Sequence, residues 1–148
     1  MRFGGDAVTL PGMVAAVVLL WMGALSVCDI RQRRLPNVLT LPGAAAILLA
    51  AAWAGRGWPA LAGAAALAGA YLLVHLVAPA ALGAGDVKLA IGLGGLAGCF
   101  GADVWALAAL GAPLLTAGWG VLRGARTVPH GPAMCLATAC AAGLALLA

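Results

Sequence analysis

The chain is short of charge. Of its 148 residues only 8% are Asp, Glu, Lys or Arg, where a soluble domain carries about a quarter. So few polar groups cannot cover a surface in water. With 65% hydrophobic residues and a mean hydropathy of +1.11, the composition is that of an integral membrane protein whose outer solvent is lipid. Aromatic residues are scarce as well, and no basic patch is interleaved with them, which sets nucleic acid aside as a partner. The net charge of +4 serves better as a topology signal. The four cysteines, Cys28, Cys99, Cys135 and Cys140, form no CxxC pair. They indicate neither zinc nor redox chemistry and read as small packing residues within the bundle.

What is present is a series of runs without charge. Residues 11–30 are interrupted only by Asp29, and residues 38–55, 57–85, 89–102, 104–122 and 127–148 follow, the fourth short and rich in glycine. A spanning helix needs about 20 apolar residues, with about 17 tolerated. The fourth run reaches that only if its helix starts near Gly85 or Asp86. The expectation is an all-α integral membrane protein, a bundle of six transmembrane helices in one domain over residues 1–148. The first run ends on Leu25-Ser26-Val27-Cys28, which faintly resembles a lipoprotein cleavage site. The preceding segment is barely basic, Val27 stands where a small residue would be needed, and arginines follow, so it is read as a retained span. Gly94 and Gly98 form a GxxxG spacing that suits close helix packing, a weak signal in a chain this rich in Gly and Ala.

Alternating spans put Arg31, Arg33, Arg34, Lys88, Arg123 and Arg126 on one side and leave Arg2 and Arg56 on the other. The excess of basic residues marks the cytoplasmic face, so both termini are expected on the non-cytoplasmic side. Trp53, Trp58 and Trp105 fall near the opposite interface, as an aromatic belt would.

The four acids divide by the same topology. Asp6 and Asp103 fall outside, as solvated loop charges. Asp29 and Asp86 fall on the cytoplasmic side, each at the membrane end of a helix, where an ionisable group usually faces the bundle interior or a water-filled cavity. The dipole disfavours a negative charge at Asp29, in the last turn of helix one, and favours one at Asp86, in the first turn of helix four. If those helices are neighbours, the carboxyls meet and share a proton as one titrating unit. One can then take a proton from water while the other polarises a carbonyl. Blander readings stand beside this one. Asp29 can pair with Arg31 to Arg34, and Asp86 can be a helix N-cap. Gly83 and Gly85 shift the balance, because they clear space beside Asp86 for another chain and a mere cap does not need both.

Two stretches also match a family. DIRQRRLPN, residues 29–37, resembles the first signature of type IV prepilin peptidases, an Asp, a basic stretch and an aliphatic-Pro-Asn. GAGDVKLA, residues 83–90, resembles the second, GxGD followed by Lys. VPHGPAMCLA, residues 128–137, resembles the Pro-Phe-Gly-Pro segment entering the last helix, with His130 where Phe is usual. The resemblance implies a GxGD-type aspartic endopeptidase of the plasma (inner) membrane. Asp29 and Asp86 match its catalytic positions, and Gly83, Gly85, Lys88, Arg31, Pro36 and Asn37 match the supporting ones. It implies no metal and no cofactor. It further implies substrates that are prepilin-like proteins with a basic leader and an apolar helix, cut on the cytoplasmic side after a Gly before that helix. Without a CxxC-bearing N-terminal region, the chain is similar to the short peptidase-only form of tight-adherence pilus systems, for which methylation of the new N-terminus is not expected.

Among the other marked residues, Arg31, Arg33 and Arg34 are expected to anchor topology, and Pro36 and Asn37 to start helix two. Lys88, two residues past Asp86, is expected on another helix face, snorkelling to headgroups or tuning the site. His75 is expected to make a helix–helix hydrogen bond, and His130 to fill the Phe position as a neutral ring. The rival reading is a small transporter or proton-conducting protein with intramembrane carboxylates, which predicts acids near the bilayer midplane and, often, inverted repeats. A third is a cleavage-incompetent assembly protein on the same scaffold, disfavoured by the presence of both acids. The sequence leaves a homo-oligomer open and does not name the pilin.

Overall fold

A computed structural model describes residues 6–148, with side-chain environments from Pro11 onward. The expected outer placements of Arg2 and of the Asp6 side chain lie outside these residues. The described chain is six helices and no strand: α1 (Asp6–Gln32), α2 (Asn37–Trp53), α3 (Gly57–Val77), α4 (Ala84–Phe100), α5 (Ala102–Arg123) and α6 (Gly131–Leu147). In lipid every backbone N–H and C=O must be satisfied within its own segment, so long Ala/Leu runs can only be helices. Three of the six, α1 from Pro11 together with α3 and α5, are long and apolar enough to cross a membrane. The other three, α2, α4 and α6, have 17 residues each, about 25 Å at 1.5 Å per residue, at the lower limit of a span.

Local signals set the ends. Arg33 closes α1 in the left-handed region (φ 52°), its N–H bonding Asp29 O at 2.9 Å. That conformation is uncommon for a residue with a Cβ. Pro36 then caps α2, in extended conformation, and its carbonyl accepts the Thr40 N–H and hydroxyl. Gly124, also left-handed (φ 59°), ends α5.

The central helix is α4, which packs on α2, α3, α5 and α6. It meets α3 backbone against backbone. A Cβ built on Gly94 would lie 2.5 Å from Gly63 O and 2.8 Å from Leu67 Cβ, and one on Gly98 would strike Pro59 O. The GxxxG spacing that composition made uninformative is therefore a real interface, completed by Gly63 on the partner helix. Trp105 belongs to the same interface. Its indole N–H donates to Gly63 O at 3.0 Å, and the ring packs against both core clusters. Trp105 lies at the start of α5, where a belt residue is expected, but its part-buried N–H is held by a carbonyl of the neighbouring helix. Trp53 and Trp58 are exposed, at 93% and 81%, as a belt requires.

On its other side α4 meets α1 differently. Helices one and four do not pack backbone to backbone; α1 lies on α6 and touches α2. Trp21 fills the gap. It donates to Leu39 O at 2.8 Å, lies where a Gly43 side chain would be, and comes within 3.0 Å of a Cβ built on Gly92. Met22 and Leu25 of α1 and Leu89 and Leu93 of α4 share one buried cluster around it. The cysteines are all unpaired. Cys135 is buried, while Cys140 is exposed rather than packed within the bundle, because it lies on the outer face of α6.

Candidate active site

The last turn of α1 and the first turn of α4 open onto one cleft of about 280 Å³, and both acids line it. Asp29 is 8% exposed and Asp86 is half-buried. They come together without direct packing of their helices, because the α1–α2 connection folds over the start of α4. Leu35, buried in that connection, would be 3.1 Å from a Cβ on Gly85, so any larger residue there would have to push the connection outward by a few tenths of an ångström. A Cβ at Gly83 would meet Asp86 Oδ2 at 3.6 Å, an ordinary contact.

Each carboxylate has a backbone donor. Gly131 N–H donates to Asp29 Oδ2 at 2.9 Å, using one of the four orphan N–H groups at the start of α6. A Cβ on Gly131 would lie 2.7 Å from that oxygen, so any other residue here would displace the carboxylate. Gly83 N–H donates to Asp86 Oδ2 at 3.3 Å. Asp86 is the third residue of α4, with Gly83 as the N-cap. It reaches back to the cap rather than being the cap, and its second oxygen is left for the cleft.

The basic residues surround this pair. Arg33, Arg34 and Lys88 line the cleft, and Arg33 also reaches Thr127 O at 3.5 Å. Lys88 Nζ donates to Asn37 Oδ1 at 2.8 Å. Of the two expected places for Lys88, headgroups or the site, it takes the site. The cleft wraps around the start of α4, and the long side chain follows it to the start of α2. Asn37 is thereby tied to the site, with Pro36 setting the angle at which α2 enters. Arg31 is exposed and is not among the residues lining the cleft. His75 Nδ1 bonds Leu82 O at 2.6 Å, in the connection that follows its own helix. The expected helix–helix bond is not formed, because the chain turns back beside His75 before entering α4. His130 is more than a filler of an aromatic position: it bonds Tyr71 and Thr116.

Sequence reasoning did not single out Gly131, although it lay in a quoted motif. Its role depends on a contact across 102 positions, and only the glycine within a Pro-flanked helix start hinted at it. Among the described residues no three His, Cys, Asp or Glu side chains gather as ligands for a metal ion. Two carboxyls on one cleft, each steadied by a backbone N–H and ringed by cations, can hold a water molecule between a proton acceptor and a proton donor.

Residues 16–147 match the model of the type IV leader peptidase family. No curated protein and no solved structure matches the chain.

Proposed function

We propose a function from one premise: this chain belongs to the type IV leader peptidase family. It is a membrane aspartic endopeptidase that removes the leader of prepilin-like proteins, with Asp29 and Asp86 as the catalytic pair. The observation that carries this reading is the shared cleft. The two acids reach it from helices whose backbones do not touch, an arrangement that neither an interfacial ion pair nor a helix cap would require.

In the proposed reaction one carboxylate takes a proton from water as the oxygen attacks the scissile carbonyl. The other, protonated, donates toward the carbonyl oxygen; as the tetrahedral intermediate collapses and the C–N bond breaks, the proton taken from water passes to the leaving amine and the second carboxyl regains its own. The N–H groups of Gly131 and Gly83 hold each carboxyl in place for this exchange. The short helices α2, α4 and α6 complete six crossings with flanking loop residues, in a single domain. The excess of Arg31, Arg33, Arg34, Lys88, Arg123 and Arg126 supports a cleft at the cytoplasmic face of the plasma membrane, with both termini on the other side. Arg33 also borders an apolar groove of about 470 Å³ between α1, α5 and α6, lined by Ile30, Leu115, Trp119, Val128 and Leu136. An apolar substrate helix seated there would present its leader junction to Asp29. The acids lie at helix ends and not at mid-helix, which disfavours an ion relay.

The test is to express Asp29→Asn and Asp86→Asn variants with a small protein carrying a basic leader, a Gly and an apolar run. The expected result is full-length substrate in both. Normal processing in either would reject the assignment.

A further inference from the structure

His130 is the residue before α6, and the next N–H, that of Gly131, is the one bound to Asp29 Oδ2. Its ring is held at both nitrogens. Nε2 lies 2.9 Å from the Tyr71 hydroxyl of α3, and Nδ1 lies 2.6 Å from Thr116 Oγ1 of α5. Thr116 Oγ1 also lies 3.0 Å from Ala112 O, a carbonyl that can only accept. With the Thr116 hydroxyl donating to Ala112 O, Oγ1 accepts from the ring, which puts the hydrogen on Nδ1 and leaves Nε2 to accept from Tyr71 O–H. A second ring proton would turn the Tyr71 hydroxyl hydrogen toward the cavity of about 390 Å³ lined by Val74, Leu82 and Pro113. That would leave both a charge and a donor in apolar surroundings.

Three helices thus converge on one side chain next to the donor that orients Asp29. We propose that His130 is a positioning residue: locked as its Nδ1–H tautomer between Tyr71 and Thr116, it fixes the first turn of α6 so that Gly131 N–H meets Asp29 Oδ2. This rests on the reading of Asp29 as half of the catalytic pair. A Phe at position 130 would fill the space without the lock.

The experiment uses the full chain in lipid vesicles with a purified leader-bearing substrate, comparing Thr116→Val, Thr116→Ser, Tyr71→Phe and Asp29→Asn with the unaltered protein. Thr116→Val and Tyr71→Phe should each lower kcat about tenfold, as a small misplacement of a reacting group does, with KM within about twofold. Thr116→Ser, which keeps the hydroxyl, should restore kcat. Nitrogen NMR of the histidine-labelled protein, with His75 identified by a His75→Gln variant, should show His130 neutral with hydrogen on Nδ1. An unchanged kcat in Thr116→Val and Tyr71→Phe, with Asp29→Asn inactive, would overturn the positioning role and leave the peptidase reading standing. Hydrogen on Nε2 would also overturn it. Normal turnover by Asp29→Asn would overturn both.

Discussion

The two sides of α4 solve opposite problems. Toward α3 the helix is stripped to glycine, and the backbones touch at Gly63, Gly94 and Gly98. Toward α1 the same helix is held off by the Trp21 ring, which rests against Gly43 and Gly92. Small residues give rigidity where lipid supplies no hydrophobic drive between helices, and a large one supplies separation. The tight side fixes α4 as a platform. The spaced side leaves room at one end for a cleft between Asp29 and Asp86. The geometry of that cleft thus depends on one interface being closed and the other propped.

The largest effect should come from opening the closed side. Gly94→Leu must push α3 away, because even a Cβ there meets Gly63 O at 2.5 Å. Overpacking costs about 1–3 kcal/mol when side chains can adjust, and backbone cannot adjust so readily. We expect loss of the folded protein from the membrane fraction, read by quantitative blotting; normal accumulation would break the comparison. Next comes Trp21→Ala, on the propped side. The indole is half-buried, so the loss should be about 2 kcal/mol, below the 3–5 typical of a deeply buried aromatic. The protein should still accumulate while processing falls, since α1 can settle toward α4 and deform the cleft. Processing that fell no more than stability predicts would argue against the propping role.

Gly131→Ala is smaller in stability and specific in activity. The new methyl would displace Asp29 Oδ2, 2.7 Å from its position, and we expect turnover to fall by about 10- to 100-fold with little change in thermal midpoint. The smallest effect is expected of Lys88→Met. One exposed hydrogen bond to Asn37 is lost, worth about 1 kcal/mol, and turnover should drop only a few-fold. A complete loss would promote Lys88 from support to chemistry.

Much of this was legible in the sequence because it is local. Charge-free runs gave the six helices, Pro36 and Asn37 marked the start of α2, and the acid at each helix end stood out against an almost uncharged background. What escaped depends on partners far along the chain. The GxxxG spacing at Gly94 and Gly98 became meaningful only with Gly63 opposite. Trp105 carries the composition of an interface anchor, but its N–H found a carbonyl inside the bundle. Gly131 and His130 act through neighbours 102 and 59 positions away. Lys88 reached the cleft because side-chain length outweighs the helical wheel at a first turn.

The central claim is that Asp29 and Asp86 act as one unit, and it is tested most directly by comparing turnover of Asp29→Asn, Asp86→Asn and the double variant on one purified substrate. A shared unit predicts that each single change abolishes cleavage and that the double change is no worse than either. Effects that multiply, or substantial turnover in one of the single variants, would contradict it.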